Sequence, residues 1–134
     1  MLPIKDSIRS RSFPLVTWVI IAINAVVFFL QMGLSQSQQG WVLQTFALVP
    51  GHIQPTDPVT WLPLLTHMFL HGGWLHILSN MWILFIFGDN VEDRMGSLRY
   101  LVFYLLGGIA AGLIQAITMS NSTVPVLGAS GAVA

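Results

Sequence analysis

"WLPLLTHMFLHGGWLHILSNMWILFIFG", Trp61 to Gly88, is the stretch whose reading decides the fold. It is almost wholly apolar, yet it carries His67, His71, His76 and Asn80, and Gly72-Gly73 interrupts it. A double glycine is a poor helix interior and a good place to begin a helix. Trp61–His71 therefore reads as a lead-in loop, with a helix starting near Trp74 and spanning to about Gly88. On that helix His76 and Asn80 stand four positions apart and share a face. Both can donate a hydrogen bond from the side chain. His67 and His71 precede the break, so spacing leaves their direction open.

Strongly polar groups at membrane depth are costly and face protein or a water-filled cavity. Two readings of His76 and Asn80 stand at this point: they hydrogen-bond neighbouring helices, or they serve a site. Metal binding competes, because four histidines lie in this half of the chain. The Gly-Gly break divides them, and no nearby Asp or Glu completes a ligand set, so no metal is expected.

Composition supports the membrane setting. Of 134 residues, 54% are hydrophobic and 7% charged, with mean hydropathy +0.75. A soluble domain carries about 25% charged residues. The formal net charge is zero, so no basic surface recruits nucleic acid. The chain has no cysteine, which excludes disulfide and thiolate chemistry within it.

Phe13–Met32, "FPLVTWVIIAINAVVFFLQM", and Tyr100–Met119, "YLVFYLLGGIAAGLIQAITM", are each long enough to cross about 30 Å of hydrocarbon. A signal peptide is the competing reading of the first, but the apolar run is long and no A-x-A site follows. A further span begins around residues 124–126 and runs to Ala134. All five Lys and Arg precede the first span (Lys5, Arg9, Arg11) or separate the second from the third (Arg94, Arg99). The positive-inside rule then puts the N-terminus, residues 1–12, in the cytoplasm. Residues 33–73 form a long first loop. Its stretch "GWVLQTFALVPGHI" is too apolar to lie free in water, which predicts association with the membrane interface.

In the third span Gly108 and Gly112 stand at GxxxG spacing, a pattern for close packing in lipid. Near the end, "VLGASGAVA" sets Ser130 among small residues. A serine there, at a helix start, has free N–H groups beside it, which is what acyl-transfer chemistry needs. In isolation the motif also fits a helix N-cap beside a packing glycine.

Together the H-x-x-x-N pair and the G-x-S-G motif, on "HGGWLHILSNMWILFIFGDNVEDRMGSLRYLVFYLLGG" and "VLGASGA", resemble the rhomboid family of intramembrane serine proteases. The resemblance runs from about Trp61 to the end. It implies an all-α polytopic membrane protein, a rhomboid-like helix bundle with about three and a half of six or more spans present: 13–32, 74–88, 100–119 and 126–134, within a membrane domain over 13–134. It implies Ser130 as nucleophile, His76 and Asn80 as oxyanion donors with the Ser130 N–H, Gly128 and Gly131 as motif glycines, and Glu92 and Arg94 as a structural polar pair in the cytoplasmic turn. The implied partners are transmembrane protein substrates and the lipid bilayer. No cofactor is implied. The expected location is a bacterial plasma membrane, as a multi-pass protein.

Two departures stand out. The family often has a Trp-Arg pair in the first loop; "VTWLPLL" has Trp61 and no Arg. The family's general base is a histidine on a sixth span, beyond Ala134. A serine hydroxyl is a weak nucleophile without a base. The expectation is an active parent protease whose first 134 residues alone do not cleave. The alternatives are a non-catalytic rhomboid-like protein that binds transmembrane helices, and a transporter using the histidines as a proton path.

Overall fold

The computed structural model describes residues 13–133. Lys5, Arg9 and Arg11 with the rest of segment 1–12, and Ala134 at the end of the fourth span, lie outside the described residues. The described chain is helical: α1 (Leu15–Met32), α2 (Gln36–Phe46), α3 (Pro63–Thr66), α4 (Trp74–Met95), α5 (Ser97–Thr118) and α6 (Ser130–Val133), with single 3-10 turns at Pro50–His52, Pro58–Trp61 and His67–Phe69. Among the described residues the sole extended pairing is an isolated antiparallel bridge between Leu48 and Val126.

The polarity of the helices is inside out. On α1 the buried face is Thr17, Ile20, Asn24 and Phe28, two of them polar, while Phe29 and Leu30 are exposed. A soluble helix shows the reverse arrangement. α1 and α5 are long and apolar enough to cross a membrane, with mean hydropathies of 2.2 and 1.9. Pro58–Phe69 and Trp74–Met95 are together long and apolar enough to form one span, bent by 80°. The bend is the Gly72-Gly73 break, and α4 begins at Trp74. The lead-in stretch Trp61–His71 is not plain loop. It winds through α3 and the His67–Phe69 turn, because Pro58 and Pro63 each sit at the first position of a helical turn, where a missing N–H costs nothing.

α1 packs along α4. Trp18 meets Phe85 and Phe28 meets Trp74 edge to face, with centroids 5.7 and 5.1 Å apart. α4 ends at Gly96, whose φ of +85° suits glycine. That residue turns the chain directly into α5. α5 buries Tyr100, Tyr104, Gly108, Gly112 and Ala116. This stripe at every fourth position tapers from large to small.

The small end of the taper receives the His67–Phe69 turn. A Cβ on Gly108 would overlap the Sδ and Cε of Met68, and one on Gly112 would lie 2.8 Å from the His67 Cε1. The GxxxG pattern is thus a packing face, but its partner is a turn rather than a second helix.

The first loop contains α2, closed at its start by a reciprocal capping box between Ser35 and Gln38. The Gln39 Nε2 donates back to the Gln31 and Leu34 carbonyls, both at 3.2 Å. The loop then reaches across to the far end of the chain. Leu48 and Val126 exchange N–H to O bonds of 2.9 and 2.7 Å, and the Gly51 N–H donates to the Ser122 carbonyl at 2.8 Å. This pairing corrects the fourth segment. Residues 126–129 are extended or bent because Val126 is engaged by the loop, and helix begins at Ser130.

Candidate functional site

The Gly-Gly break places His76 in the first turn of α4. Its Nδ1 accepts the Gly72 N–H at 3.2 Å. A neutral imidazole whose Nδ1 accepts carries its proton on Nε2, so His76 presents an N–H donor there. Asn80 follows one turn later and is 6% exposed. Its Nδ2 is buried and has no hydrogen-bond partner among the described residues.

Both groups face Gly128. A Cβ at Gly128 would stand 2.5 Å from the His76 Nε2, 2.6 Å from its Cε1 and 3.7 Å from the Asn80 Nδ2. The glycine is required twice over: any side chain would displace the imidazole, and the φ of +112° disfavours L residues. The segment behind it is fixed by two consecutive N–H bonds to the turn before the break. Gly128 donates to the His67 carbonyl at 2.9 Å, and Ala129 donates to the His71 Nε2 at 3.3 Å. Ala129 is fully buried. Ser130 is the next residue and starts α6. α6 rests on α5, where a Cβ on Gly131 would come within 2.8 Å of the Ala111 Cβ.

The structure therefore brings His76, Asn80, Gly128 and the start of α6 together, with Gly131, Gly108 and Gly112 as close-approach points behind them. Two side-chain N–H donors converge on a space kept open by a glycine, beside a serine at a helix start. Such an arrangement can hold developing negative charge on an oxygen. Among the described residues, no three His, Cys, Asp or Glu side chains gather in a way that could hold a metal ion.

Glu92 and Arg94, expected in a turn after a span ending near Gly88, lie on α4 itself, which runs on to Met95, at the end away from this site. Glu92 is 2% exposed. It accepts the N–H groups of Val16 and Thr17, each at 2.8 Å, the Thr17 hydroxyl at 2.9 Å and the Ser97 hydroxyl at 2.7 Å. Val16 and Thr17 belong to the first turn of α1, whose N–H groups lack helical partners. No side chain local to α1 caps that turn, and Glu92 does so from α4. Arg94 is exposed. The two residues expected as a pair thus separate, and the partner that matters to Glu92 is α1.

His67 and His71 were left without direction by their spacing, and both touch the segment before Ser130. The available signal was their own four-residue interval ending at the break. It puts both on one side of a helical turn, but it does not say what that turn faces.

The chain is similar in sequence to known proteins. The Rhomboid domain family matches residues 58–134. Rhomboid-like protein 11, chloroplastic, of Arabidopsis thaliana is 38% identical over 73 residues, 54% of this chain and 26% of that protein. The RHOMBOID-like protein 6, mitochondrial, of the same plant is 36% identical over 69 residues, 52% of this chain and 22% of that protein. The rhomboid protease GlpG of Salmonella paratyphi A is 29% identical over 116 residues, 84% of this chain and 38% of that protein. The chain thus spans well under half the length of the curated relatives it matches.

Proposed function

This chain belongs to the rhomboid family, and from that premise we propose that it is part of an intramembrane serine endopeptidase that cleaves transmembrane helices of membrane-protein substrates. It is a membrane protein with an all-α, rhomboid-like bundle. Ser130 attacks the scissile carbonyl of a substrate helix unwound near the outer face. The His76 Nε2–H, the Asn80 Nδ2–H and the Ser130 N–H hold the oxyanion. Gly128 and Gly131 keep the approach open. The scissile C–N bond then breaks, the departing amine takes the proton given up by Ser130, and water hydrolyses the acyl-enzyme. The observation that carries this reading is the buried Asn80 Nδ2, without a partner among the described residues and beside Gly128. An unpaired buried donor is costly and persists where another state of the site supplies its acceptor.

The proton of Ser130 passes to a histidine that the resemblance assigns to a later span, so residues 1–134 alone are expected not to cleave. The N-terminus is proposed to be cytoplasmic, on the placing of Lys5, Arg9 and Arg11 against Arg94 and Arg99. A bacterial plasma membrane is the proposed location.

The test uses the protein carrying these residues and the later spans, in liposomes with a fluorescent transmembrane substrate. Cleavage and covalent labelling by a fluorophosphonate are expected, and Ser130→Ala should lose both. Cleavage that survives Ser130→Ala removes Ser130 from the reaction. Absence of both from wild-type protein across a panel of substrates favours the helix-binding alternative. Cleavage by residues 1–134 alone, lost with Ser130→Ala, overturns the assignment of the base to a later span.

A further inference from the structure

His71 has no part in the proposed chemistry, yet it joins three elements of the site. It is 2% exposed. Its backbone is held from α1: the Gln31 Oε1 accepts the His71 N–H at 3.3 Å, and the Gln31 Nε2 donates to the His71 carbonyl at 3.4 Å. Its ring stands edge-on to the His76 ring, with centroids 5.0 Å apart. Its Nε2 accepts the Ala129 N–H. We propose that His71 is a positioning residue, which fixes the backbone leading into Ser130 through Ala129 and sets the plane of the His76 ring. This inference rests on the reading of Ser130 as nucleophile.

The argument is one of hydrogen-bond accounting. Ala129 is fully buried, so its N–H has no water to turn to. Of the two bonds that tie residues 128 and 129 to the turn, the one from Gly128 ends on a backbone carbonyl, which no substitution removes. The one from Ala129 ends on a side chain. His71 is therefore the single side chain holding these two N–H groups in place. Small errors in placing a nucleophile cost rate steeply. The same bond excludes His71 as the base. A nitrogen that accepts the Ala129 N–H has its lone pair engaged and cannot also take the proton of Ser130 while that bond stands.

Two variants separate positioning from general structure. His71→Leu removes the acceptor. His71→Gln replaces it, since its Oε1 can reach the position of the imidazole Nε2. In the liposome assay, with rates normalised to folded protein, His71→Leu should lower kcat by about tenfold or more at unchanged KM, the scale of one buried hydrogen bond. His71→Gln should recover most of that loss. Equal kcat in the two variants, or His71→Leu within about twofold of wild type, overturns the proposal.

A measurement on the unmutated protein covers the case in which the leucine variant does not fold. In 15N-histidine-labelled protein in lipid, the His71 Nε2 should show the shift of an unprotonated, hydrogen-bonded nitrogen; a protonated Nε2 overturns the proposal. That signal does not depend on cleavage. A protein with the expected nitrogen shift but no Ser130-dependent labelling would sink the protease reading while leaving the His71–Ala129 bond established.

Discussion

Glu92 and Asn80 lie on the same helix, about three turns apart, and both are buried, at 2% and 6% exposure. Their surroundings are opposite. Glu92 takes four hydrogen bonds from two other elements. The Asn80 Nδ2 takes part in none among the described residues. A buried donor left unpaired is costly, so the difference needs a reason. A buried polar group whose bonds are all made within the protein holds elements together. The free Nδ2 of Asn80 is set apart by what it faces, the open position at Gly128. α4 thus has a structural end and a poised end. The glycines follow the same division: Gly96 turns the chain from α4 into α5, whereas Gly128 keeps a space open.

This contrast can be broken by experiment. The largest effect expected is at the satisfied end. Glu92→Ala strands two backbone N–H groups and two hydroxyls and should lower stability by about 4 kcal/mol, read as the unfolding midpoint in detergent titration. A loss below about 1 kcal/mol would mean that α1 is held by its apolar contacts alone. Asn80→Ala should do the reverse. It should cost about 3 kcal/mol of transition-state stabilisation, seen as a fall of about 150-fold in kcat, with stability changed by less than about 1 kcal/mol. Unfolding comparable to Glu92→Ala would make Asn80 a packing residue.

Gly128→Ala combines a displaced His76 ring with a strained backbone and should cost about 2 kcal/mol. The loss should be visible in kcat before it is visible in thermal unfolding. Equal kcat would show that the His76 ring can give way without penalty. Ser97→Ala is the smallest. It removes one of four bonds to Glu92 and should cost about 1 kcal/mol of stability with no change in kcat per folded molecule.

Much of the fold could be read from residue patterns. The long apolar stretches give α1, the body of α4 and α5 because hydropathy over twenty residues is a local property. The Gly72-Gly73 break and the shared face of His76 and Asn80 are also local. What could not be read depends on contacts between distant segments. The start of α6 at Ser130 is set by Val126 pairing with Leu48, and nothing in "VPVLG" announces a partner in the first loop. The role of Glu92 depends on the uncapped first turn of α1, far off in sequence, and the resemblance that named Glu92 with Arg94 does not point to it. The direction of His71 depends on how sharply the chain bends at the break, and glycines permit many angles.

The bridge between Leu48 and Val126 has a consequence for synthesis. It joins the first loop to a segment made much later, after α3, α4 and α5 have been produced. Until Val126 emerges, the Leu48 N–H and carbonyl lack this partner. Pairings between such distant positions form late, because the intervening chain must first be ordered. His76 and Asn80 are therefore made before the segment that carries Ser130, and they can meet it only after α5 has been made.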